Sequence, residues 1–121
     1  MTTSRMAYRK EKISHLIRDE VGKIIHENLD MDNDAIVTVM RAIVSDDLNH
    51  VRIFISVFPS QFGEKVLDAI NKNIYFLQQI LNKKLKIHPV PKMFFVIDTT
   101  EERAAKVEKV IEEVIEKVKE E

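Results

Sequence analysis

Lysine is the side chain through which this sequence could do most. Lys83, Lys84, Lys86 and Lys92 follow one another, with His88 among them, and no carboxylate lies between Asp68 and Asp98. An ammonium group on a long stem is a compact, mobile point charge, well suited to phosphate oxygens on an irregular backbone. Further cations stand at Lys72 and, near the start of the chain, at Arg5, Arg9, Lys10 and Lys12. Any one of these alone reads as a solvated charge. The carboxylate-free run reads as a surface for a phosphate backbone. Asn73 either meets such a ligand directly or simply ends a helix. Phe54 and Tyr75 are candidates for stacking on bases. Tyr75 lies beside an apolar stripe and is expected to be partly buried. Phe54 shares the polar face of its strand, either exposed or covered by the last helix. His88, between Ile87 and Pro89, reads as a local structural residue.

Other chemistries find little to work with. His15, His26, His50 and His88 have no ligand spacing, and two glycines cannot supply a phosphate-cradling loop. Glu11 and His15, or His15 and Asp19, share a helix face at i, i+4, which surface ion pairing accounts for. With no cysteine there are neither disulfides nor thiolate metal sites. Asp30, Asp32 and Asp34 open like a calcium loop. Ala35 then stands where the turn needs glycine, and Arg41 where a bidentate glutamate belongs. The stretch reads as a solvated turn. Serine and histidine suggest no triad. No enzyme activity, metal or cofactor is expected. No apolar run approaches a membrane span, and the first residues lack an apolar signal core, so a cytoplasmic protein with no membrane contact is expected.

The elements that must position the lysines can be read from periodicity. At 121 residues the chain is one domain, and 45% hydrophobic content fills a modest core. A formal net charge of −1 hides a division. Residues 64–97 hold six basic and two acidic side chains, whereas residues 98–121 hold five and nine. Residues 6–28 form a helix with an apolar stripe of Ile13, Leu16, Ile17, Val21, Ile24 and Ile25. Residues 35–44, rich in β-branched side chains, form a strand. Residues 45–49 turn, and residues 50–58 form a second strand in which Val51, Ile53, Ile55 and Val57 alternate onto one face. Residues 59–61 turn the chain into two helices. Val66, Leu67, Ile70 and Ile74 recur at helical spacing, as do Phe76, Leu77, Ile80 and Leu81. The break falls at residues 71–73, where asparagine competes with the helix ladder through its own side chain. Residues 93–97 form a short buried strand. A last helix starts at Thr99 or Thr100, with Ala104, Val107, Ile111, Val114 and Val118 at heptad steps. The layered solution is α+β: a three-stranded sheet covered by helices on one face, plus the C-terminal helix.

The order of these pieces resembles the ribosome-binding factor A family. The resemblance spans residues 9–103. It is carried by Ile13, Ile17 and Glu20 on the first helix, then Val37-Thr38-Val39, Val44-Ser45-Asp46-Asp47-Leu48 and His50-Val51-Arg52-Ile53-Phe54-Ile55-Ser56-Val57. Phe76-Leu77, Val90-Pro91, Phe95-Val96-Ile97-Asp98 and Glu102-Arg103 complete it. The resemblance implies a KH-like fold of the helix-first type (α-β-β-α-kink-α-β) over residues 5–98, with residues 99–121 as a C-terminal helix and acidic tail. It implies a non-catalytic factor on the maturing 30S subunit and its 16S rRNA, linked to 5′-end processing and growth in the cold. The family lacks the GxxG loop of ordinary KH domains and uses a kinked helix junction, usually alanine with glycine two residues on. Asn73 and Tyr75 stand there in this chain. An aspartate-proline-arginine element usual before the first strand is replaced by Asp32-Asn33-Asp34. The expected RNA-binding residues are Arg5, Arg9, Lys10, Lys12, Lys72, Asn73, Lys83, Lys84, Lys86 and Lys92. A monomer is expected when free, with other assembly factors as further partners. The alternative is a protein-interaction module that dimerises through the C-terminal helix.

Overall fold

The structure is a computed structural model that describes residues 2–30, 35–99 and 114–115. Its first element, α1 (Thr2–Asn28), buries Ile13, Ile17, Val21, Ile24 and Ile25 along one stripe. Leu16, expected in that stripe, is 44% exposed. At 100° per residue it sits almost opposite Val21, so the stripe is narrower than the run of apolar residues suggests. Asn28 closes the helix by donating its side-chain amide to the Ile24 carbonyl at 2.8 Å.

Two strands follow, β1 (Ile36–Val44) and β2 (His50–Phe58), paired antiparallel. Val39 faces Ile55 and Arg41 faces Phe54, so Met40 is an extra residue without a partner on β2. This bulge flips the alternation of β1. Val37 and Val39 point to the core before it, Ala42 and Val44 after it. The turn between the strands is closed by side chains. Asp47 Oδ1 accepts from the Ser45 hydroxyl at 2.6 Å and the Asn49 amide at 3.0 Å. The Ser45 hydroxyl oxygen accepts from the His50 amide at 3.0 Å. Leu48 takes φ 61°, a left-handed backbone unfavourable for leucine, and its half-buried side chain packs on the core.

A single 3-10 turn (Ser60–Phe62) leads into α2 (Gly63–Lys72), then α3 (Ile74–Lys84) and β3 (Lys92–Ile97). A Cβ at Gly63 would lie 3.1 Å from Ile97 Cδ1, so glycine lets α2 begin tight against the end of β3. β3 pairs with β2 in parallel, giving the sheet order β1-β2-β3. Ile53, Ile55, Val51, Val44, Met93 and Phe95 face the helices and are buried. Helices therefore cover one face, as expected.

β3 is not the fully buried strand that its apolar sequence suggests. Met93 and Phe95 are inside, but Phe94 is 48% exposed and Val96 is exposed too. They point to the other face, which no described element covers. The C-terminal helix expected over residues 99–121, and its proposed dimer seam, lie outside the described residues except for Thr99, which is not helical, Val114 and Ile115. The latter two are helical and exposed. Asp32 and Asp34 of the calcium-loop-like run also lie outside them. Among the described residues no helix is long and apolar enough to cross a membrane.

The start of β3 is held by one amide side chain. Gln78 donates Nε2 to the Pro91 carbonyl at 3.1 Å, and its Oε1 accepts from the Met93 amide at 2.9 Å. Gln78→Ala leaves a buried amide without its acceptor, and chemical denaturation is expected to show a loss of about 1–3 kcal/mol. The turn carries a pH dependence. The Ser45 hydroxyl, then the Asn49 amide, hold the Asp47 carboxyl below its ordinary value of 3.8. Its contribution is complete above that value and is lost as pH falls through the lower folded value. The melting-temperature gap between the wild type and Asp47→Asn is expected to be constant near neutrality and to close in acid.

Candidate nucleic-acid interface

The cations of α1 divide between two sides of the helix. Arg5, Arg9 and Lys12 step by four and three residues and lie on the exposed face, beside exposed Tyr8. Lys10 turns towards the sheet and meets Asp46 of the β1–β2 turn at 2.7 Å. It is therefore not presented together with its neighbours. An exposed pair of this kind contributes little to stability.

The helix pair breaks where the asparagines predict. α2 ends at Lys72, Asn73 has φ −107° and ψ 11°, and α3 starts at Ile74. Asn73 is both exposed and structural. Its Nδ2 donates to the Ala69 carbonyl at 2.8 Å and its own carbonyl accepts from the Leu77 amide at 2.9 Å. It thus ends one helix and opens the next, with Lys72 exposed beside it. Tyr75 is 77% exposed and Phe76 53% exposed, against the expectation of partial burial for the first and a core role for the second. The break resets the helical phase, so Leu77 and Leu81 alone are buried in α3.

At the end of α3, Lys83 and Lys84 occupy the last turn, where the helix dipole favours cations. Lys84 lies 3.9 Å from Glu27 of α1. Lys83 and Lys86 are exposed and make no ion pair among the described residues. Lys10 and Glu27 are separated by roughly 25 Å along α1 at 1.5 Å per residue. The Lys10 end of the first helix and the exit of α3 are therefore distinct regions of the helical layer.

Lys92 belongs to neither. It projects from the face of the sheet that no described element covers, with its Nζ 5.8 Å from the centre of the Phe94 ring. Around it the sheet brings together groups the sequence pattern left unassigned. The Arg41 guanidinium sits 4.2 Å above the Phe54 ring, and His50 meets Phe94 at 5.6 Å. Alternation in β2 already marked Arg52 and Phe54 as one face. Arg41 was masked by the bulge, and Phe94 by the unbroken apolar run around it. His88 is exposed, and the described residues contain no group of three or more His, Asp and Glu side chains placed to hold a metal ion.

A helix-first α+β domain with a kinked helix pair crossing between β2 and β3 defines the KH-like class. Solved structures agree on the fold. Ribosome-binding factor A from Thermus thermophilus superposes with a TM-score of 0.65 at 17% identity, over 73% of this chain and 94% of that one. A Thermus thermophilus ribosome-binding factor A homology model fitted into the cryo-EM map of a 30S complex superposes at 0.58 and 15% identity, over 70% and 90%. The sequence agrees as well. The factor from Thermomicrobium roseum is 27% identical over 109 residues, covering 89% of this chain and 84% of its own length. That from Wigglesworthia glossinidia brevipalpis is 30% identical over 98 residues, covering 78% of each. The model of the family described as ribosome-binding factor A matches residues 9–111. The chain belongs to the ribosome-binding factor A family.

The double role of Asn73 is testable. Asn73→Ala removes the bond to the Ala69 carbonyl and is expected to lower stability by roughly 0.5–1.5 kcal/mol in urea titrations. Far-UV circular dichroism should stay unchanged, because the backbone bonds of Asn73 keep the break in place.

Proposed function

We propose that this protein is a non-catalytic RNA-binding factor that docks on the 30S ribosomal subunit while it matures, through residues 5–98. The observation that carries this reading is the exit of α3, where Lys83 and Lys86 stand exposed with no carboxylate paired to them among the described residues, in a chain of this family. The complex of the Thermus factor with 30S supports the same partner. Arg5, Arg9 and Lys12 supply a second row of positive charge on the outer face of α1, and Lys72 with Asn73 a third group at the kink.

Without a GxxG loop, four nucleotides are not clamped and read in the KH manner. Phosphate binding and RNA shape carry the affinity instead. Occupancy holds a local conformation of 16S rRNA, in the period when its 5′ end is processed, and matters most in the cold, where misfolded RNA escapes slowly. Release follows when the mature RNA shape withdraws the phosphates or another assembly factor displaces the protein. It acts as a monomer.

Lys83→Glu with Lys86→Glu is expected to cut co-sedimentation with 30S particles at least ten-fold at matched salt, with an unchanged melting temperature. Lys84 is left in place because it also meets α1. The log–log dependence of affinity on salt should flatten by about 2 for Lys83→Gln with Lys86→Gln, roughly one unit for each phosphate no longer neutralised. Undiminished sedimentation of the double glutamate variant would remove this surface from the interface.

A further inference from the structure

We infer that the face of the sheet that no described element covers is a second RNA surface, one that stacks an unpaired base on Phe94. It extends the reading above to the opposite side of the molecule and shares with it only the class of ligand.

The pairing register lays the face out as a grid. Ile43, Arg52 and Phe94 lie side by side across the three strands, and Arg41, Phe54 and Val96 form the next row. His50 and Lys92 pair in the row beyond. The two phenylalanines are diagonal neighbours, roughly 7–8 Å apart at the backbone. The half-buried Phe54 ring carries the Arg41 guanidinium over it at 4.2 Å, whereas Phe94 is exposed with Lys92 at 5.8 Å, so Phe94 is the ring left for a base. No carboxylate lies in any of these rows. A depression of about 590 Å³ opens between Ile43, Ser45, His50, Arg52, Phe94 and Val96.

This composition fits RNA better than a protein helix. A docked apolar helix would bury Arg52 on the central strand and would need a carboxylate placed over it. A splayed nucleotide satisfies both needs at once, because its base covers the ring and its phosphate meets the guanidinium. A duplex offers neither, since its bases are stacked on one another. The ligand is therefore a single-stranded segment, held through a base at Phe94 and its phosphates at Arg52 and Lys92.

The test uses the full chain and a fluorescent single-stranded octauridylate, with an abasic ribose-phosphate strand of equal length as control. Phe94→Leu, at an exposed position, keeps the apolar bulk but removes the π-face. Anisotropy at fixed salt is expected to show at least ten-fold weaker binding of octauridylate by this variant, and equal binding of the abasic strand by variant and wild type. Amide NMR should show Arg52, Phe54, Phe94 and Val96 shifting with octauridylate, and 30S co-sedimentation of the Lys83→Glu, Lys86→Glu variant should fail independently of these shifts. The melting temperature of Phe94→Leu is expected to match the wild type, which separates lost stacking from misfolding. The inference is overturned if octauridylate shifts only amides near Lys83 and Lys86, or if affinity survives the Phe94 substitution. It is equally overturned if a soluble paramagnetic probe fails to reach Phe94 in the RNA-free chain, since the face would then be covered by polypeptide.

Discussion

The parallel pairing of β3 with β2 is the constraint from which the rest of the structure follows. Parallel neighbours cannot be joined by a tight turn, so the chain must leave the end of β2, cross a face of the sheet and return to its other end. The crossing is α2 and α3, and the break at Asn73 lets two short helices follow a path that one straight helix would overshoot. Gln78 then fixes the return by bonding both the Pro91 carbonyl and the Met93 amide. Because the crossing and α1 occupy the same face, the lysines at the end of α3 are delivered to the rim of the helical layer. The opposite face of the sheet is left without a layer among the described residues.

A sheet face with no layer over it among the described residues must be made tolerable in water. Arg41, Arg52 and Lys92 do so here, interleaved with Ile43, Phe54, Phe94 and Val96. A guanidinium over Phe54 shields the ring and keeps its own polar edge hydrated. The arrangement leaves apolar surface in small, cation-bounded pieces rather than one patch that would invite aggregation. The bulge at Met40 works in the same sense. It twists β1, an edge strand, and disrupts the regular row of backbone groups that a foreign strand would need.

Positive charge is consequently distributed over four regions. The outer side of α1, the kink, the α3 exit and the sheet face each hold cations, and the Lys10 side chain is drawn away to Asp46. Such a distribution suits an irregular RNA surface that surrounds its binder more than a straight duplex groove, because each region can meet a different phosphate track. The single surface suggested by a linear run of lysines is, in three dimensions, a rim with a separate face behind it.

The strands, both helices of the crossing and their break were legible in the sequence, because each is written in local chemistry. β-branched alternation, helical spacing and asparagine at a junction act within a few residues, and tertiary packing did not override them. What periodicity could not give was anything that depends on phase across a defect or on what lies opposite. Met40 reads as one more strand residue, yet as a bulge it decides which side Arg41 faces. Tyr75 and Phe76 continue an apolar stripe on paper, but the reset at Asn73 turns both to solvent. The MFFVI run reads as buried because every residue is apolar, and Phe94 and Val96 are exposed because no described element lies over that face of β3. Sequence alone therefore determined the elements, their order and the stock of cations, since short-range backbone and side-chain preferences suffice for those. Tertiary structure alone decided which cations share a surface, because facing is set by pairing register and by the partner across the gap, neither of which is encoded at any single position.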